Sequence, residues 1–380
     1  MLKVVVAGAG IIGATCAYYA ARAGHRVTVF DPGEIGAATT AVSGSSVLAQ
    51  TKTSPLLLDL TRRSQALYEE LKRDLGVPYQ VEGSLILFRT ANEEAFVRDR
   101  CVWLRAQGVR VDMLSGAEVR TQVPSVAARV RGAAYAPLDA EVAPREAAVA
   151  IAHGAAQLGA VFSTGIPVTD LDVAGGSIRG VVTPAGSTAC DEVVLAAGPW
   201  TGRIAAPHGI AVPIRPQKGE LLFTGPAQVP LRGRVLAATY LMSKFGTQSP
   251  DGFSAGLVVG REPDGSIKIG STRECAQFDT TPTARAREIL LREAREYVPD
   301  VAALPIRRQT AGLRPYSLLK RPIIGRVPGV GGLILACGHG GDGIALAPIT
   351  GWLVAQFIEG AATGLEGELA LAEPTEGSAG

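Results

Sequence analysis

The sequence predicts an α/β fold: a Rossmann-like domain of βαβ units on a mostly parallel sheet, joined to a second α+β domain built on an antiparallel sheet. Three observations carry this. The first 31 residues read as strand, glycine turn, helix and strand. A second strand, glycine loop and helix occupy residues 332–358. Between them, residues 213–269 hold four alternating runs separated by turn residues, the pattern of antiparallel pairing.

Residues 3–7 (KVVVA) form a short β-branched run suited to a buried strand. It leads into Gly8-Ala9-Gly10-Ile11-Ile12-Gly13 and an alanine-rich helical stretch that Gly24 stops. Residues 26–30 make the next strand, with Asp31 at its end. Gly8 allows the tight turn, Gly10 lets a pyrophosphate approach the backbone, and Gly13 lets the helix lie close on the strand. The free N–H groups of the helix start face the phosphates. Asp31 is placed to accept hydrogen bonds from a ribose diol. This is a dinucleotide site, and the acid at position 31 disfavours the extra 2′-phosphate of NADP. The motif by itself leaves FAD and NAD open; its place at the start of the chain favours FAD.

Small and hydroxylated residues follow from Pro32 to position 46, among them Thr39, Thr40, Ser43, Gly44, Ser45 and Ser46. Such a loop lets amides and hydroxyls approach a pyrophosphate or a flat ring, and Lys52 just beyond is a candidate cation beside that ring. Residues 54–75 have helical spacing and end at Gly76; 83–88 read as a strand and 93–107 as an amphipathic helix. A short helix is expected over 113–123, with Ser115 as N-cap and Glu118 three residues on. A strand at 131–136, a helix at 145–157, a strand at 160–163 leading to Val168 and a hairpin over 173–182 come next. The strand from 192 ends in Ala196-Ala197-Gly198-Pro199-Trp200, a small-residue turn that leaves room for a ligand at a strand's carboxyl end. Strands are expected at 213–223, 235–241, 256–259 and 266–269, and a helix at 283–297. The acidic tail, 366–380, reads as disordered. The expected division is a discontinuous nucleotide-binding domain (1–80, 137–212 and 310–365) and a substrate domain (81–136 and 213–309).

At 380 residues the chain is long for a single core. Its 47% hydrophobic and 19% charged residues describe a compact protein, and a net charge of +2 without basic clusters gives no nucleic-acid surface. Five scattered cysteines form no CxxC, so neither a disulfide framework nor a zinc or iron–sulfur site is expected. Reduced thiols suit the cytoplasm. The fingerprint accounts for the apolar start better than a signal peptide does. No apolar run is expected to span a bilayer, while the positive mean hydropathy leaves contact with a membrane's inner face open.

The fingerprint, the Ala196 to Trp200 turn, Gly312-Leu313-Arg314-Pro315 and the loop-helix from Gly338 to Pro348 occur in that order. Together, over nearly the whole chain, they resemble the D-amino acid oxidase/glycine oxidase family of FAD-dependent amine oxidoreductases. Residues 337–348 (CGHGGDGIALAP) and 240–244 (YLMSK) most resemble the branch of D-hydroxyproline dehydrogenases and opine oxidase subunits. Two departures stand out. Arg321 occupies a place where many relatives have an acid, and residues 311–316 lack the cysteine of the covalent-flavin sarcosine oxidases. The resemblance therefore implies FAD held without a covalent link.

It further implies oxidation of the C–N bond of an amino or imino acid, by hydride transfer to flavin N5, giving an imine that water hydrolyses. D-amino acids, proline-like acids and glycine are all candidate substrates. A sarcosine-type N-methyl amino acid oxidase and a flavoprotein subunit active only with a partner stay open. So do the electron acceptor (oxygen, quinone or a partner subunit) and homo- or hetero-oligomeric assembly. Arg314 is the expected carboxylate clamp, since a guanidinium fork binds a carboxylate bidentately. Tyr240, expected on a strand, would line the substrate pocket, and His339 would touch flavin or substrate or serve as a core histidine. The glycines Gly338, Gly340, Gly341 and Gly343 with Ile344 would aim a helix start at the flavin pyrimidine edge. Asp342 is either a partner for the substrate amine or a helix N-cap.

Overall fold

The computed structural model describes residues 1–245, 252–275 and 277–371. The opening unit consists of strand Lys3–Ala7, helix Ile11–Arg22 and strand Arg26–Asp31. Gly13 makes it possible: a Cβ there would stand 1.8 Å from the Gly8 carbonyl oxygen. These strands lie inside a six-stranded sheet with the order Ile323–Arg326, Leu333–Cys337, Glu192–Leu195, Lys3–Ala7, Arg26–Asp31, Val161–Thr164. All neighbours are parallel except the first pair.

Alternation along the strands sends side chains to two cores. Val4, Val6, Val194 and Ile334 pack against helices Ile11–Arg22, Pro144–Gln157 and Gly343–Ile358. Val5, Ala7, Val193 and Leu335 pack against a small antiparallel sheet made of Asp170–Ala174, Ser177–Thr183 and Gly186–Ala189. A sheet covered on both faces is the usual setting for parallel strands. Helix Pro55–Leu75 starts where the Leu57 N–H donates to the Ser54 hydroxyl (3.3 Å) and stops at Gly76, which has a φ of 67°. Segment Gly340–Ile358 is, against expectation, long and apolar enough to cross a bilayer. Most of it is buried against other helices, so its apolarity serves the core.

The second sheet has eight strands in the order Ile306–Ser317, Ile214–Pro226, Ser266–Cys275, Ser254–Arg261, Arg234–Ala237, Ser84–Phe88, Gly132–Ala136, Asp112–Ser115. Its pairs are antiparallel except Arg234–Ala237 with Ser84–Phe88. Helix Ala284–Tyr297 lays Leu290, Ala294 and Tyr297 on Val235, Leu257, Ile267 and Ile269 of this sheet.

Four further expectations are corrected. The stretch 113–123 is not one helix: Asp112–Ser115 joins the sheet edge, and helix Gly116–Gln122 follows with the Ser115/Glu118 capping box intact. The run 235–241 leaves the sheet at Ala237 and becomes helix Ala238–Phe245, so Tyr240 is helical. Gly256 makes room for that turn, since a Cβ there would meet the Tyr240 Cα at 2.5 Å. The boundary expected at 309/310 falls inside the continuous strand Ile306–Ser317. The expected tail begins with a short helix, Glu366–Leu369, anchored by the buried Leu369. Residues 372–380 of that tail lie outside the described residues.

The tightest helix crossing is at Gly351, where a Cβ would stand 2.5 Å from the Thr15 backbone. Gly351→Ala should force the helices apart and cost about 1–3 kcal/mol, the range for overpacked cores. A lowered urea midpoint at unchanged slope would register it. An unchanged midpoint would show that the helices do not touch there.

Candidate active site

The carboxyl ends of the parallel strands and one face of the eight-stranded sheet enclose a cleft of about 1750 Å³. That exceeds the roughly 300–1,000 Å³ of an ordinary ligand pocket and suits a dinucleotide plus a small substrate. At one end lies the first glycine turn. Gly8 has a φ of 111°, and a Cβ there would stand 2.5 Å from the Ala196 carbonyl oxygen, so only glycine joins these two strand ends. Gly10 opens on the cleft; a Cβ there would meet only the Thr40 hydroxyl, at 3.4 Å. Asp31 accepts the N–H groups of Ala9 (2.6 Å) and Gly33 (2.7 Å), which fixes the loop and leaves carboxylate lone pairs for a diol. The Ile11 N–H donates to Thr40 Oγ1 at 3.1 Å.

Helix Ile11–Arg22 receives no side-chain cap from its own N-cap residue, Gly10, and beyond the Ile11 N–H held by Thr40 its start is open. Helix Gly343–Ile358, which follows the short turn Gly340–Asp342, has no side-chain cap either. Both helix starts border the same cleft. Two positive dipole ends facing one cavity form a receptor for a ligand that is anionic at two places. A pyrophosphate and a ring that gains negative charge on reduction meet that description, so the residues present fit FAD.

Of the residues singled out from sequence, Ile12, Pro32, Thr39, Ser43, Gly44, Ser46, Val168, Ala197, Gly198 and Trp200 also line the cleft, as do the residues from Gly338 to Ile344. Gly13, Ser45 and Lys52 do not. Gly13 is a packing residue. Ser45 turns away, accepting from Lys268 Nζ at 2.9 Å and donating to Glu262. Lys52 is buried behind the cleft, where its ammonium pairs with Asp342. Lys244 reaches Asp342 from the other side at 3.3 Å. Burial pushes the Asp342 carboxyl up, but the two lysines outweigh it and hold the carboxyl well below the usual range. Asp342 thus stands at the N-cap position without a capping bond from its side chain, and it is not free for a substrate amine.

His339 is buried, its Nε2 lying 2.9 Å from Thr350 Oγ1. The Thr350 hydroxyl donates to the Leu346 carbonyl (2.8 Å), so it accepts from Nε2–H and sets the tautomer. Burial lowers the imidazole to about 4. His339 is neutral near pH 7 and anchors the loop to the helix behind it.

Arg314 lies on strand Ile306–Ser317, and its Nη1 donates to the carbonyls of Thr272 (2.8 Å) and Lys218 (3.4 Å). It crosses Gly219, where a Cβ would stand 2.1 Å from the guanidinium. Among the described residues no carboxylate pairs with it. Tyr240 shares its part of the cleft with Arg314, Arg273 and Lys244. Burial pushes the phenol up, and those three cations together bring it below its ordinary value. The sequence reading missed Arg273 and Gly219. The expected strand ended at 269, and alternation continued to Cys275 would have put position 273 on a sheet face.

Because His339 titrates near 4 when folded and near 6.5 when unfolded, the unfolded chain binds the extra proton between these values. This residue therefore makes the fold lose stability as pH falls from 6.5 to 4. In urea titrations across that window, His339→Gln should lose less stability with acid than the wild type. An equal loss would mean that His339 is not held neutral.

The family model described as "FAD dependent oxidoreductase" (DAO) matches residues 3–357. The chain is 31% identical to glycine oxidase of Geobacillus kaustophilus over 94% of its own length and 92% of that protein. It is 28% identical to the hydrogen cyanide synthase subunit HcnC of Pseudomonas aeruginosa, covering 93% of this chain and 92% of that one. The crystal structure of L-proline dehydrogenase from P. horikoshii superposes with a TM-score of 0.86 at 26% identity, over 95% of this chain and 94% of that one. With a family match across nearly its whole length and the glycine-lined cleft where FAD fits, the chain belongs to the DAO family and is an FAD-dependent amino acid oxidoreductase.

Proposed function

We propose that the substrate is a small amino or imino acid held by its carboxylate on Arg314, with its α-carbon facing the flavin. The observation that carries this is a guanidinium without a carboxylate partner among the described residues, in the cleft that two helix starts share. When bound, FAD supplies the hydride acceptor for oxidation of the C–N bond. The protein's part is position. The Nη1 of Arg314 is spent on the Thr272 and Lys218 carbonyls, which aims the fork and leaves the Nη2 and Nε donors for a carboxylate. His339 is neutral and Asp342 is held by two lysines, so neither serves as an acid or base beside the substrate. The amine therefore reacts in its neutral form, its lone pair assisting as hydrogen leaves the α-carbon.

The glycine and proline chemistries named for the relatives both fall within this class. A second reading, as the flavoprotein subunit of a larger assembly, is supported by the likeness to HcnC, itself named as a subunit. The five cysteines are free, which supports a cytoplasmic setting.

Anaerobic addition of an amino acid panel (glycine, sarcosine, D-alanine, proline and D-hydroxyproline) to the purified yellow protein should bleach the flavin. If bleaching needs a co-purified partner, the subunit reading replaces the first. Arg314→Lys should retain FAD and raise KM by about tenfold to a hundredfold, the equivalent of losing a hydrogen bond to a charged group. An unchanged KM would remove Arg314 from the substrate site.

A further inference from the structure

Arg273 is a second guanidinium in the same part of the cleft. It lies on strand Ser266–Cys275, half-buried, with its Cζ 4.6 Å from the Tyr240 ring centroid and Nη1 3.2 Å from the Ser243 hydroxyl. Arg314 donates to the carbonyl of Thr272, the neighbouring residue, so the two guanidiniums approach from adjacent backbone positions. Around Tyr240 stand Arg273, Arg314 and Lys244, against the single carboxylate of Asp342, which the two lysines Lys244 and Lys52 already share. Among the described residues neither guanidinium has a carboxylate partner. Two buried cations of the cleft do, Arg234 with Glu141 and Lys268 with Glu262, whereas Arg203, Arg215 and Arg321 border the cleft away from Tyr240 and likewise pair with no carboxylate among the described residues.

Two uncompensated guanidiniums in a partly desolvated pocket repel each other and are costly to hold. Burial and the neighbouring Arg273 accordingly lower Arg314 to about 10. One carboxylate relieves one of them. We infer that the substrate is an amino or imino acid with two carboxylates, Arg314 binding the one next to the reacting carbon and Arg273 the other. This rests on the proposed role of Arg314 and narrows it to amino dicarboxylates and N-(carboxyalkyl) amino acids. Arg273 is then the specificity residue. A merely structural role, holding Tyr240 by its cation–π contact, would affect every substrate alike.

The test uses the FAD holoenzyme, with iminodiacetate and D-glutamate set against glycine and D-alanine, and with succinate and acetate as unreactive binding probes followed by calorimetry. The wild type should favour the dicarboxylates in kcat/KM by at least about tenfold and bind succinate more tightly than acetate, as expected for one extra charge-assisted fork. Arg273→Gln should abolish both preferences, raising KM for the dicarboxylates at least about tenfold more than for glycine and D-alanine. Arg273→Lys should restore part of the succinate preference, and its behaviour decides the matter if the glutamine variant does not fold. A wild type that prefers monocarboxylates, or an Arg273→Gln variant that loses both classes equally, overturns the proposal. If succinate is preferred while no amine bleaches the flavin, the two-carboxylate pocket stands and the assigned reaction falls.

Discussion

The contact between the Gly8 turn and the Ala196 carbonyl governs the rest of the architecture. It is a backbone-to-backbone approach that a single methyl group would block. Because the first strand and its neighbour Glu192–Leu195 end side by side there, the helix after the first strand begins against the small-residue turn after the second. The same sheet carries Leu333–Cys337 on the other side of Glu192–Leu195, so the late glycine loop emerges one strand further along. Two segments more than 300 residues apart thus open on one cleft. The parallel register decides this, since in an antiparallel arrangement one of the helix starts would lie at the opposite edge.

The second sheet is fastened to this frame by charge. Arg234 and Lys268, both buried, meet Glu141 and Glu262, and Lys268 also holds Ser45 of the cofactor loop. Thr39 adds a hydrogen bond to the Leu313 carbonyl (2.8 Å), beside Arg314. Buried charges of this kind give little net stability against an apolar alternative, but leaving one partner unmatched is expensive. The network therefore fixes where the loop sits more than it strengthens the fold. The same holds for the Lys52–Asp342–Lys244 group, which ties helix Ala238–Phe245 to the loop ahead of helix Gly343–Ile358.

Local signals in the sequence suffice for the elements and caps that backbone chemistry decides. Gly8 to Gly13 with Asp31, the Ser54 and Ser115 caps, Gly76 and the two strand–turn–helix units are set by propensity, φ and hydrogen bonding within a few residues. What was missed is set across the sheet. Residues 238–241 look like a strand, yet they coil because Gly256 on a neighbouring strand leaves a seat for a helix. Ser45 and Lys52 have the chemistry of cofactor ligands and face away from the cleft because buried acids elsewhere claim them. Arg273 lies on a strand longer than its apolar run, so nothing local distinguished it from a surface arginine.

Asp342 and His339 have the side chains of an acid–base pair, three residues apart in a glycine loop, and the fold withholds both from that work. Lys52 and Lys244 keep Asp342 ionised and occupied, while Thr350 and burial keep His339 neutral. Their effect is to tie the loop to the helices behind it. Arg314, which has no carboxylate partner among the described residues, lies beside this loop: a Cβ at Gly341 would stand 3.8 Å from its Nε. Fixed dipoles and guanidiniums together stabilise charge without moving protons of their own. That arrangement suits a reaction in which the cofactor carries the chemistry and the protein supplies orientation and field.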